Sequence, residues 1–499
     1  MKRAASIGLC LVASVGLACT SDDAAEDTTD RSQSSAPAPT DWPTAGFDLS
    51  NSRAIAGGDL TTATVGGLTE QWTADVESLG SLSTVPIVVD GVVYAQGGSG
   101  QVAALELATG DTMWLSEPNA FNIGPFGVAV DDTRVYALDG SVGVQALDRE
   151  TGEQLWATDV TATDTTGIGI QPVVAGDLVI VSSVPVSISG IYTGGDRGVV
   201  TALDRETGVV RWEFDTVEGD DLWGNPEVNS GGGAWYPPAV DLERGLVYVG
   251  VANPAPFPGT PEHPNGTSRP GDNLYTDSVV ALDLATGALE WFHQVIPHDI
   301  FDRDQVHAQL VALPDGTDVV VSSGKSGVVV GVDPDDGAPR WTTEVGVHEN
   351  DDLTELDGPT TVAPGTYGGV LTPPAWADGV VYLAVVNSPV ELVPDATAYF
   401  GADVSVGEGE VVAVDAATGE VQWATTVPGQ PLGAATVVND LVLTTLLDGT
   451  LLALDRESGE IVHSFELGGG TNGWMAVVDD TLVVPLGTSP PARIVALGL

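Results

Sequence analysis

Four stretches of the chain hold side chains suited to chemistry. Gly231-Gly232-Gly233-Ala234-Trp235 places a large rigid aromatic face after a run of glycines, and such a face can carry a flat ring system. Asn253, in Asn253-Pro254-Ala255-Pro256, offers a side-chain carbonyl, a donor that a hard cation accepts without added charge. Asp272, in Arg269-Pro270-Gly271-Asp272-Asn273-Leu274-Tyr275, has a carboxylate able to take a proton. Lys325, in Gly324-Lys325-Ser326-Gly327, is a rare cation in a chain with 16 Lys and Arg against 70 Asp and Glu, and could stabilise developing negative charge. Each also has a plain structural reading: a core tryptophan, an Asn-Pro turn, a Gly-Asp-Asn turn and a surface lysine.

The elements that must position these groups come from a repeat. A small residue, an apolar one and an acidic one are followed by Thr-Gly or a near relative, with tryptophan ten places after the small residue. The pattern runs Ala104-Leu105-Glu106 to Trp114 and Ala146-Leu147-Asp148 to Trp156, with copies ending at Trp212, Trp291, Trp341 and Trp423. A seventh copy, Ala453 to His463, has histidine in the tryptophan place. Each copy reads as strand, tight turn, strand, and the stretches between carry two more strand-like runs such as Pro86 to Tyr94. Four strands per repeat make one blade, and blades that cannot bury both faces alone stack around an axis.

The chain ends in Arg493-Ile494-Val495-Ala496-Leu497-Gly498-Leu499, the first half of a repeat, while Leu68-Thr69-Glu70-Gln71-Trp72 supplies a second half without its start. Pairing Ile494 to Leu497 with the strand ending at Trp72 completes an eighth blade and removes open sheet edges. The expected fold is therefore all-β: an eight-bladed β-propeller over residues 42–499, with tryptophan-docking repeats and a last blade closed by N- and C-terminal strands.

Ahead of it, Lys2-Arg3 and the apolar run Ala4 to Ala18 read as a signal peptide (1–18), too short to span a bilayer stably. Cys19 follows Leu17-Ala18 as in a lipobox, although Gly16 stands where Leu or Val is usual. Residues 19–41 then form a lipidated, disordered acidic tether with little to bury. This makes the protein an exported cell-envelope lipoprotein, periplasmic or at the cell surface, touching membrane only through its anchor. Cys10 and Cys19 are the only cysteines, so the body has neither disulfides nor thiolate metal sites. The net charge of −54 argues against nucleic acid as a partner.

A propeller with Ala-x-Asp-x-x-Thr-Gly-x-x-x-Trp in each blade resembles the quinoprotein alcohol dehydrogenases, which hold pyrroloquinoline quinone (PQQ) on the propeller axis. The resemblance covers Trp42 to Leu499. It implies that the repeat tryptophans dock neighbouring blades and that Asp148, Asp204, Asp283, Asp333, Asp415 and Asp455 form turns. The interval from Trp212 to Trp291 is 79 residues, against 42 from Trp114 to Trp156, and the extra length holds the glycine-tryptophan, Asn-Pro and Gly-Asp-Asn motifs in the family's order. By resemblance, Trp235 with Gly233 forms the cofactor floor, and Asn253 and Asp272 bind calcium. Asp272 is also the catalytic base, and Lys325 binds and polarises the quinone. The run Pro297-His298-Asp299-Ile300-Phe301-Asp302 follows the family's course and reads as structural support.

The pattern also has gaps. Ser182 to Thr193 lacks the family's glutamate metal ligand, and Ser81 to Pro86 offers only hydroxyls where another glutamate is expected. Calcium is possible, but its site is incomplete. No adjacent cysteine pair and no Cys-x-x-Cys-His haem motif occurs, and Leu274, two places after Asp272, is not the extra carboxylate of lanthanide-using members. The expectation is a divergent quinoprotein oxidoreductase that oxidises an alcohol or polyol and passes electrons to a separate acceptor. The alternative is a non-catalytic propeller serving as an envelope scaffold or ligand-binding lipoprotein.

Overall fold

The structure is a computed structural model and describes residues 38–119, 124–140, 142–161, 167–185, 194–396, 407–488 and 491–499. The expected signal peptide, Cys19 and the tether up to residue 37 lie outside them, as do residues 186–193 of the stretch lacking the glutamate. Among the described residues, Ala38 is buried and the Pro39 carbonyl accepts from the Asp479 amide. Among the described residues no helix is long and apolar enough to cross a membrane.

The strands build eight blades, each with four antiparallel strands; Gly167–Ile168 adds a fifth strand to the third blade and Ala54–Ile55 a parallel one to the seventh. The first blade is Ile87–Val89, Val92–Gln96, Val102–Glu106 and Thr112–Leu115, running from the axis outward. Its inner strands are almost wholly buried and its outer strand largely exposed, which is the burial expected of a sheet radiating from a packed centre. In the eighth blade Ala476–Val478, Thr481–Leu486 and Arg493–Gly498 are completed by Thr69–Asp75 on the outside. There Thr69 faces Gly498, Trp72 faces Ala496 and Ala74 faces Ile494, so the N-terminal strand closes the ring and continues three residues past Trp72.

The repeat chemistry is the same at each blade junction. Trp114 donates from its indole nitrogen to the Arg149 carbonyl at 3.1 Å, and its ring lies on Gly152, where an added Cβ would come within 2.6 Å. Gly152 has φ +73°, so glycine is required by conformation and by contact. Trp72, Trp156, Trp212, Trp291, Trp341 and Trp423 make the same two contacts with the next blade. The repeat aspartates are turn-formers: Asp148, Asp204, Asp283, Asp415 and Asp455 each accept the amide three residues on, and Asp333 accepts the amide two on, at 2.8–2.9 Å. Between blades the layers are apolar; Ile180, Ala202 and Trp212 of the third blade pack with Val240, Val247 and Leu282 of the fourth.

One element was not legible in the repeats. Residues 42–60 run across one end of the propeller and touch several blades, with Ala54–Ile55 adding a short parallel strand to the seventh. Trp42 bridges to Val88, and the carbonyls of Leu49, Ser50, Ser52 and Arg53 accept from Val240, Leu310, Trp376 and Val437, in the fourth to seventh blades. The carboxylate of Asp480 then holds the amides of Asp59 and Leu60. This segment is a plug tying the inner strands of separate blades together.

Candidate active site

On the other side of that plug lies a cavity of about 570 Å³, lined among the described residues by Trp235, Tyr236, Asp304, Lys325, Tyr367 and Trp474, with Phe126, Leu371, Leu432 and Leu447 as apolar wall. Its volume is in the range of small-molecule sites.

The glycine run reaches it through a short ribbon. Ser230 and Gly231 pair with Ala255 and Pro254, and the Gly232 amide donates to the Asn253 carbonyl at 3.0 Å. A Cβ on Gly231 would lie 2.7 Å from that carbonyl, and one on Gly233 would lie 2.8 Å from Val184. The glycines therefore let two backbones approach closely and deliver Trp235 to the cavity. Gly233 itself packs on Val184 and is not in the wall. Trp235 is half-buried, and its indole nitrogen is buried with no protein partner.

The carboxylates beside Lys325 are Asp302 and Asp304. The Lys325 ammonium lies 3.0 Å from Asp302, 2.6 Å from Asp304 and 6.0 Å from the centre of the Trp235 ring. The Asp304 carboxylate also accepts the Asn253 amide at 2.9 Å. The two loops are zipped by backbone: Lys325 N donates to Asp304 O, Ser326 N donates to Arg303 O, and a Cβ on Gly324 would collide with the Asp304 carbonyl. Asp302 and Asp304 both have positive φ, 69° and 37°. Such conformations in residues other than glycine persist where surroundings enforce them, often at functional sites. Burial pushes the Asp302 carboxyl up to about 8, against the pull of Lys325. Burial also opposes the charge on Lys325, but Asp302 and Asp304 outweigh it and raise the ammonium above its ordinary value.

Asp272 is elsewhere. It is exposed, its carbonyl accepts from Gln294 at 2.6 Å, and it does not line the cavity. The Arg-Pro-Gly-Asp-Asn run is a turn, closed by Arg269 donating to Asn273 at 2.7 Å and Asn273 donating back at 2.8 Å. The turn geometry uses the Asp272 segment, and the buried carboxylates beside Lys325 come from the Asp299 to Asp304 run first read as support. Asp299 in that run accepts the amides of Phe301 and Arg303 at 2.7 Å.

Asn253 is buried beside Asp304, its amide nitrogen donating to the Pro254 carbonyl at 3.0 Å, which leaves the side-chain oxygen as the donor a cation could use. Asp277, also missed, is fully buried with neither carboxylate oxygen partnered; burial, then Asp299 and Asp304, push it well above the usual carboxylate range. Where a glutamate ligand was looked for, Ser182 donates to the Ala234 carbonyl at 2.7 Å. Among the described residues no three acidic, histidine or cysteine side chains group closely enough to hold a metal alone. The donors Asn253, Asp302 and Asp304 suit a hard cation only if a ligand completes its shell. With the open face of Trp235 and its unpartnered indole, the residues fit a flat quinone that shares a cation.

Residues 160–360 match the family model described as glucose/ethanol/alcohol dehydrogenase, beta-propeller domain, and residues 375–498 match outer membrane protein assembly factor BamB. The quinohemoprotein alcohol dehydrogenase of Comamonas testosteroni is 26% identical over 399 residues, covering 71% of this chain and 56% of that protein. The chain thus spans little more than half of that relative. Its crystal structure superposes with a TM-score of 0.78 at 23% identity, covering 92% of this chain and 80% of the other. A europium-containing methanol dehydrogenase gives 0.76 at 19% identity, covering 92% and 98%. By its matched segment, its relatives and its eight-bladed fold, this chain is similar to the PQQ-dependent alcohol dehydrogenase-like β-propellers, with the low identity of a divergent relative.

Proposed function

We propose that the protein is an exported quinoprotein oxidoreductase that oxidises an alcohol or polyol and hands electrons to a separate acceptor. The observation that carries this reading is the Lys325–Asp304 pair in the lining of a cavity floored by Trp235, with Asp302 buried against the same ammonium just outside that lining.

PQQ, when bound, supplies the hydride acceptor. Trp235 gives it a flat floor, and the apolar wall of Phe126, Leu371, Leu432 and Leu447 excludes water, strengthening every charge interaction inside. Asp302 takes the hydroxyl proton of the alcohol in its ionised form, which the adjoining Lys325 ammonium favours against burial. Lys325 fixes both carboxylates and places positive charge where a reduced ring gains electrons. Asn253, Asp302 and Asp304 would hold a cation, with the quinone completing its shell. Lanthanide-using members carry an extra carboxylate two places after the base; counted from Asp302, that place is Asp304.

The match of residues 375–498 to an assembly factor keeps the scaffold reading as the alternative. Adding PQQ with calcium or with a lanthanide to the purified protein separates the two. The enzyme reading expects stoichiometric quinone uptake and alcohol-dependent dye reduction, and no uptake with either metal leaves the scaffold.

A further inference from the structure

Arg53 is a fully buried guanidinium in the axial plug. It donates to the carbonyls of Ala435, Ala45 and Met475 and to the Thr436 hydroxyl at 2.8–3.1 Å, and forms no ion pair with any described carboxylate. Burial alone acts on it, lowering it to about 9, which leaves it charged at neutral pH. It is sandwiched between Trp42 and Trp474, with ring centres 5.4 and 5.8 Å away. Trp474 packs on Tyr236 at 5.6 Å, and both rings are in the wall of the 570 Å³ cavity. One aromatic layer therefore separates an uncompensated positive charge from the site.

A buried charge satisfied only by neutral groups is costly, and an apolar side chain could fill the same space. The cavity's own cation, Lys325, is already matched by two aspartates, and the chain as a whole carries −54. A polyanionic occupant gains from further positive charge near the site, in addition to any cation that Asn253, Asp302 and Asp304 would hold. We propose that Arg53 is that charge: a fixed cation beneath the cavity floor that attracts an anionic cofactor, here the PQQ tricarboxylate, without touching it. The plug thus contributes to binding as well as to closure. This rests on the quinone reading of the cavity.

The test measures PQQ affinity by equilibrium dialysis at fixed metal and low salt, for the unaltered protein, Arg53→Met, Arg53→Lys and Asn51→Ala. Asn51 bonds the carbonyls of Pro237 and Ala308, so its loss weakens the plug and keeps the charge. At an effective dielectric of about 20, a unit charge about 10 Å from an anion changes affinity by roughly tenfold. Arg53→Met is expected to bind about tenfold more weakly with a flatter salt dependence, and Arg53→Lys to recover most of the loss. Asn51→Ala is expected to unfold at lower temperature yet bind within about twofold of the unaltered protein. Arg53→Gln replaces Arg53→Met if the latter does not fold. Unchanged affinity in the uncharged variant, or equal weakening in Asn51→Ala, overturns the proposal and leaves the quinone reading standing. No uptake by the unaltered protein overturns both.

Discussion

The ammonium of Lys325 lies 2.6 Å from the carboxylate of Asp304, and both groups are largely removed from solvent. Breaking such a pair from one side strands a buried charge. Lys325→Met is expected to destabilise the protein by about 3–5 kcal/mol in urea unfolding, and Lys325→Met with Asp304→Asn by less than the sum of the two single losses. Additive losses would mean that the pair does not act as a unit.

Trp235 is half-buried and contributes a face to the cavity more than packing to the core. Trp235→Ala is expected to lower PQQ affinity at least tenfold while shifting the thermal midpoint less than a repeat tryptophan does, as read by dialysis and calorimetry.

At the ring closure, Trp72 donates to Leu107 at 2.8 Å and covers Gly110. Trp72→Ala is expected to cost about 3 kcal/mol, comparable with Trp114→Ala, because both dock one blade on the next. Retained PQQ uptake in both variants would separate docking from chemistry.

His307 is buried, its ring 4.4 Å from that of Tyr236, and burial lowers it to about 3. Below its unfolded value of about 6.5 the unfolded chain binds a proton that the native site refuses, so stability falls as pH drops from about 6.5 toward 3. Each pH unit in that window costs up to about 1.4 kcal/mol from this residue. His307→Asn is expected to flatten the slope of unfolding free energy against pH; an unchanged slope would place the proton uptake elsewhere.

The frame was legible because each blade repeats one local solution. The Thr-Gly turn with its tryptophan ten residues from the small residue fixes strand, turn and docking contact together, and the two half-repeats at the ends state how the ring closes. The plug had no such signature, since residues 42–60 satisfy their backbone groups on five separate blades. At the site, Trp235 and Lys325 are the residues the family resemblance points to, and both line the cavity. Asp302 reads as structural support within the Pro297 to Asp302 run, and in a chain with 70 acidic residues Asp304 carries no mark of its own. What distinguishes them is burial against Lys325, which depends on a loop pairing across blades.

The central claim is that proton abstraction belongs to Asp302 and its neighbours and not to the turn at Asp272. It is tested most directly by comparing Asp302→Asn, Asp304→Asn and Asp272→Asn, loaded with PQQ and metal, for alcohol-dependent dye reduction. The account expects Asp302→Asn to lose at least a hundredfold in rate, Asp304→Asn to lose metal affinity first, and Asp272→Asn to stay within about threefold of the unaltered protein. Full activity in Asp302→Asn together with inactivity in Asp272→Asn would contradict it.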